Sequence, residues 1–210
     1  MTANRMLQII ALAVLLAALT AAAASAQSFD VTLNTSPLSG TQTLAFGFTD
    51  GDGLGNNSAA LTAFNFGGGG ALGSPSDFGT GVSGDLTSGI ALNDSDFSSL
   101  FTQQFTAGSS LSFLLNITDN FAGGTPDAFA MYVCDASLTT CYSDDMASGA
   151  MLVLNLSGGP LAPGNFILNG ASDQDLSAPV VTVPSVPEPS TLLLWATGLA
   201  ALFGAKKIWG

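Results

Sequence analysis

Two kinds of side chain in this sequence have the type and spacing for site chemistry: closely spaced carboxylates and one pair of thiols. Asp50-Gly51-Asp52-Gly53-Leu54-Gly55 opens like a calcium loop, in which alternate carboxylates converge on one ion. Leu54 stands where an EF-hand places a ligand and Leu61 where it places its bidentate Glu, so the EF-hand itself is excluded. A looser calcium site built from Asp50, Asp52 and Asn56 or Asn57 remains open, beside an ordinary turn, whose backbone selects the same Asp, Gly and Asn. Asp94-Ser95-Asp96, Asp144-Asp145 and Asp173-Gln174-Asp175 pose the same question. Adjacent carboxylates raise each other's pKa unless they are solvated or metal-bound, and solvation is the cheaper solution. Glycoside hydrolysis needs two carboxyls facing across a cleft, which pairs one or two residues apart do not provide. There is no histidine and no Asp-Thr-Gly or Asp-Ser-Gly signature, so no enzyme is expected and no cofactor beyond that calcium.

The thiols, Cys134 and Cys141, lie in YVCDASLTTCYS, with strand-like residues outside them and turn-like ones between. Two cysteines without histidine make a poor zinc site. In an exported chain an even count points to a disulfide, which here staples a hairpin.

The elements that position these residues read as short strands. Alternating or apolar runs cover 29–35, 43–49, 59–66, 89–92, 100–105, 111–118, 128–134 and 150–156. In TLAFGFT, Leu44, Phe46 and Phe48 share one face, which is period two and not helical. Turn-rich stretches such as DGDGLGNN and DNFAGGTP separate the runs. The expectation is an all-β domain over 27–170, an antiparallel β-sandwich of about eight strands, jelly-roll-like. Residues 67–89, rich in Gly and Ser, read as a long loop holding at most an edge strand. Residues 171–186, with four prolines from Pro179 to Pro189 in and just beyond them, read as an extended linker.

Both ends read as targeting segments. Arg5 precedes an apolar stretch from Leu7 to Leu19, and Ala24-Ser25-Ala26 has the small-x-small pattern of a signal peptidase site, giving a signal peptide over 1–26. Its apolar run is shorter than the ~20 residues of a spanning helix. At the other end, Pro187-Glu188-Pro189 precedes an apolar stretch from Leu192 to Ala205 and then Lys206-Lys207. As a helix over about 191–205 it rises about 22 Å against a hydrocarbon core of ~30 Å, so it is a short transmembrane helix. With the domain exported, the two lysines stay inside and report topology.

The three cations of the chain, Arg5, Lys206 and Lys207, all lie beside these terminal segments, while all 15 carboxylates lie between Gln27 and Ala205. The exported domain is therefore a polyanion, which keeps its copies apart in solution. It offers nothing to neutralise phosphates, so nucleic acid is excluded as a partner.

The C-terminal arrangement resembles the PEP-CTERM sorting signal: Val186-Pro187-Glu188-Pro189, the apolar stretch and the basic end follow one another in the order of that family, over 187–210. The basic end, two lysines followed by Ile208-Trp209-Gly210, departs from the arginine-rich endings that are commoner there. The body is similar to secreted PEP-CTERM proteins of unknown function in FTDGDGLGNNSAALTAF, FTQQFTAGSSLSFLLNIT and DAFAMYVCDASLTTCYSDDMASGAMLVLNLSG. The resemblance implies recognition by an exosortase, a membrane protease of exopolysaccharide-producing Gram-negative bacteria. It implies export through the inner membrane with signal peptidase acting on the way, transient anchoring by the C-terminal helix, and delivery to the cell surface or beyond. A structural or adhesive role in the exopolysaccharide or biofilm matrix is then expected, with exopolysaccharide as a further partner. The alternative is a calcium-dependent carbohydrate-binding module, for which Phe64, Phe66, Tyr132 and Tyr142 are stacking candidates that serve equally as packing. A hydrolase using an aspartate pair is the third reading.

Overall fold

The structure, a computed structural model, describes residues 26–184. Ala24 and most of the signal peptide, the sorting motif Val186 to Pro189, the apolar stretch and Lys206-Lys207 lie outside the described residues; Ala26 immediately precedes the first strand. Among the described residues no helix is long and apolar enough to cross a membrane.

Twelve strands follow in order: β1 Gln27–Asn34, β2 Thr41–Thr49, β3 Ser58–Asn65, β4 Gly70–Phe78, β5 Val82–Asp85, β6 Gly89–Asn93, β7 Ser98–Thr106, β8 Ser110–Ile117, β9 Asp127–Asp135, β10 Leu152–Leu156, β11 Phe166–Leu168 and β12 Val180–Thr182. They form two six-stranded sheets of order β12-β1-β8-β3-β6-β5 and β11-β10-β9-β2-β7-β4, antiparallel throughout. The chain is all-β.

The pleat sends alternate residues between the sheets. From β2 these are Leu44, Phe46 and Phe48; from β9 Phe129, Met131 and Val133; from β8 Leu111, Phe113, Leu115 and Ile117, and all are buried in one cluster. Phe46 is its centre, with ring centroids 5.4 Å from Phe113, 6.1 Å from Phe64 and Phe129 and 6.3 Å from Phe101. Because Phe113 and Phe64 belong to one sheet and Phe46, Phe101 and Phe129 to the other, these contacts lock the two sheets face to face. Buried Gln103 is satisfied where it enters the core. Its Oε1 accepts the Leu86 N–H at 2.9 Å and its amide donates to the Gly73 carbonyl at 3.0 Å, as a desolvated amide requires.

Two expectations are corrected. The segment 67–89 is more than a loop with one edge strand, because it contributes β4 at the edge of one sheet and β5 at the edge of the other. Most of the side chains of β4 are exposed, and its pairing with β7 shifts register between Leu72 and Ser76, around Pro75. Such an edge strand carries neither alternation nor an apolar run to reveal it. The stretch 171–186 is not a free linker as far as it is described. Ala171, Leu176 and Val181 are buried, and β12 pairs with β1 through Asp30 and Thr182. Pro179 and Pro184 flank β12, where a missing N–H breaks no ladder bond.

Candidate functional site

The register brings the carboxylates of distant segments to one end of the sandwich. Thr49 pairs with Ala128 and Ser98, so the loop 50–57 after β2 meets the start of β9 and the loop 94–97 before β7. Gly51 is required here because a Cβ would fall on the Pro126 carbonyl oxygen, and Gly53 because its φ is +81°. Asp50 Oδ1 accepts the Gly53 N–H at 2.7 Å and Asp52 Oδ1 the Leu54 N–H at 2.9 Å, two local turns of the kind Asp favours.

Asp127, the first residue of β9 and 1% exposed, holds that loop from below. Its Oδ1 accepts the N–H groups of Gly51 at 2.8 Å and Asp52 at 3.2 Å, and its Oδ2 the Asn57 amide at 2.7 Å. Asp94, also 1% exposed, takes the Asn57 backbone N–H on its two oxygens at 3.0 and 2.9 Å. Asn57 Oδ1 accepts the Asn120 N–H at 2.7 Å, tying the loop 118–126 into the same network.

Burial pushes the Asp94 carboxyl up, to about 6, and neighbouring Asp127 adds to the rise. Asp127 is driven the same way by burial, yet donors from Asn57, Gly51 and Asp52 more than offset this and hold it below the usual carboxylate range. One raised and one lowered carboxyl in contact is the signature of an acid and base pair. Here both are buried and accept backbone N–H groups, Asp94 from Asn57 and Asp127 from Gly51 and Asp52. The remaining shifted aspartates, Asp85, Asp96, Asp135, Asp144 and Asp145, are half-buried or exposed and accept hydrogen bonds from loop residues. Asp144 and Asp145 do not raise one another; hydrogen bonds from Ser172 and from Ser148 lower them.

The sequence placed Asp50, Asp52 and Asn56 in one candidate metal site. The structure brings Asp50 and Asp52 together and adds Asp127, one carboxylate oxygen of each lying within 4.8 Å of the others. That stays inside the about 5 Å that two ligands on opposite sides of one calcium span. Asn56 donates its amide to the Asn120 carbonyl at 3.1 Å, and its Oδ1 is buried without a hydrogen-bond partner. Asp127 escaped the sequence because 75 residues separate it from Asp52, and only the register joins them.

Cys134 and Cys141 are joined by a disulfide that closes a hairpin, with Asp135 donating to Thr140 and Tyr142 to Val133 across it. It lies at the other end of β9 from Asp127. Of the aromatic residues considered for stacking, Phe66 and Tyr142 are buried, and Phe64 packs against Phe46 and Phe113. The Tyr142 hydroxyl donates to Gln42 at 2.9 Å. Tyr132 is half-buried beside Gly47 on the outer face of its sheet. The most exposed phenylalanines are instead Phe97 at 79% and Phe78 at 67%, which the sequence did not single out.

No curated protein and no solved structure matches this chain. Residues 185–207 match the family model of the PEP-CTERM protein-sorting motif, beginning three residues after β12 ends. The chain carries a PEP-CTERM protein-sorting motif, which implies targeting to an exosortase and export.

Proposed function

We propose that this chain is a structural or adhesive component of the cell envelope or exopolysaccharide matrix, delivered by exosortase and without enzymatic activity of its own. The observation that carries the reading is the sorting motif at 185–207, placed directly after a folded, uniformly acidic β-domain. The strand orders β1-β8-β3-β6 and β2-β7-β4 support a jelly-roll-like sandwich, with β5 moved to the edge of the first sheet and β9 to β12 added outside. In this reading signal peptidase frees Gln27, the C-terminal segment holds the chain transiently in the inner membrane, and exosortase releases it to the surface. Replacement of Pro187, Glu188 and Pro189 by alanine in the full chain tests it. Retention at the inner membrane is expected; surface release equal to the unsubstituted chain would overturn it.

A second reading, a calcium-dependent carbohydrate-binding module, is favoured by the convergence of Asp50, Asp52 and Asp127 and by the unpartnered Asn56 oxygen. These residues fit the hard oxygen donors calcium takes. Its test is thermal melting in millimolar calcium against chelator, where an unchanged melting temperature would remove the physical basis of the module.

A further inference from the structure

We propose that, while its tail is in the bilayer, the domain stands end-on to the membrane, with Phe78 and Phe97 in contact with the lipid surface. The inference rests on the sorting reading and adds to it an orientation and an interaction surface.

The strand registers place both ends of the described residues, Gln27 and the segment after Thr182, at one end of the sandwich. In the first sheet Gln27 pairs with Ile117, Ile117 with Ala59, Ala59 with Leu92 and Leu92 with Val82, so one row crosses five strands. β12 runs antiparallel to β1, and Asp30 faces Thr182, so the chain leaves β12 toward that same row. A shallow cavity lined by Gln27, Phe29, Leu161, Val183 and Pro184 confirms that the two ends lie side by side. The loops 50–57, 79–81, 94–97 and 118–126 all open at this end, and the loops 35–40, 86–88 and 107–109 open at the other.

The tether is too short to bring the opposite end of the domain to the bilayer. From Pro184 to Leu192 eight residues reach at most ~28 Å when fully extended. A nine-residue strand such as β2 is itself about 30 Å long. The tail cannot run the length of the domain to bring the opposite end to the bilayer. Of the two ends, the near one is thus the one within reach of the lipid.

That end carries the apolar groups suited to the contact. Phe97 and Phe78 are the most exposed aromatics named above, and Leu54 at 48% and Val183 at 61% share their end. Phe78 ends β4 and Phe97 lies in the loop before β7, and hydrogen bonds join the segments beside them. Asp96 accepts the Thr80 N–H and, at 2.8 Å, its hydroxyl, while the Phe97 carbonyl accepts the Asp50 N–H at 3.1 Å. Aromatic rings held at a water interface favour the headgroup layer of a bilayer. The nearby carboxylates Asp50, Asp52, Asp96 and Asp119 are repelled by anionic headgroups, so the surface that fits is zwitterionic.

The test is NMR of the full-length chain in phosphatidylcholine nanodiscs that contain a lipid with a gadolinium-chelating headgroup. Amide signals of 50–56, 79–81 and 94–97 are expected to be lost, while those of 36–39, 87–88 and 137–148 persist. Equal loss at both ends, or greater loss at the far end, overturns the orientation. A chain that does not associate with the discs at all removes the anchor reading, and this inference with it. Substituting Phe78→Ser and Phe97→Ser, both at exposed positions, is expected to restore the 94–97 signals while the chain stays on the discs; unchanged loss would overturn the lipid contact of the rings.

Discussion

Asp94 and Asp127 hold the two polar faces of one residue: Asp94 takes the backbone N–H of Asn57, and Asp127 takes its side-chain amide at 2.7 Å. The domain has no Lys, Arg or His to pair with either, so burial raises Asp94 while hydrogen bonds, and no ion pair, stabilise the charge of Asp127.

The pH dependence follows from the two shifts. The pKa of Asp94 is raised from 3.8 to about 6 in the folded chain, which therefore binds a proton the unfolded chain does not between pH 4 and 6. Stability falls as pH rises through that window, by up to about 3 kcal/mol. Asp127 is shifted the other way, and its contribution, present above pH 4, is lost as pH falls further. Asp94→Asn keeps a neutral acceptor for Asn57, so it is expected to flatten the melting temperature between pH 4 and 6 without lowering it at pH 7. A slope equal to that of the unsubstituted chain would show that Asp94 is not the titrating group.

Removing Asp127 has a different consequence. Asp127→Ala leaves the N–H groups of Gly51 and Asp52 and the Asn57 amide without their acceptor, at about 1–3 kcal/mol for a buried donor. Asp127→Asn keeps one oxygen and is expected to cost less. Urea unfolding of the two variants measures the difference, and equal losses would contradict the hydrogen-bond account.

Any calcium effect must pass through the same residues. Asp50→Asn with Asp52→Asn is expected to abolish a calcium-dependent rise in melting temperature, since two of the three converging carboxylates lose their charge. A retained rise would move the ion elsewhere.

The disulfide closes a loop with a sequence separation of 7. Chain entropy for so small a loop gives about 2 kcal/mol, so Cys134→Ser with Cys141→Ser is expected to lower unfolding stability by that amount without unfolding the domain. Phe46→Ala, at the meeting point of Phe64, Phe101, Phe113 and Phe129, is expected to cost more, about 3–5 kcal/mol. Denaturant unfolding of both variants checks this order.

The strands with one buried face were legible in the sequence, because burial on one side leaves alternation behind, as Leu111, Phe113, Leu115 and Ile117 of β8 show. β4, with exposed Phe78 and a bulge around Pro75, left none. β12 offers one buried residue, Val181, between two exposed ones, too short to read as a period. The site was half legible for the same kind of reason. Asp50 and Asp52 are neighbours in sequence, whereas Asp94 and Asp127 reach them through pairings that no local pattern encodes. The two exposed phenylalanines look like core residues in a list of letters, and only their positions at the loop end distinguish them.

Exosortase targeting is tested most directly by peptide mass analysis of the chain recovered outside the cell. The account predicts an exported form that lacks the apolar segment from Leu192 to Ala205, with that segment found only in the membrane-bound form. An extracellular form that retains the segment through Lys206-Lys207 would contradict it.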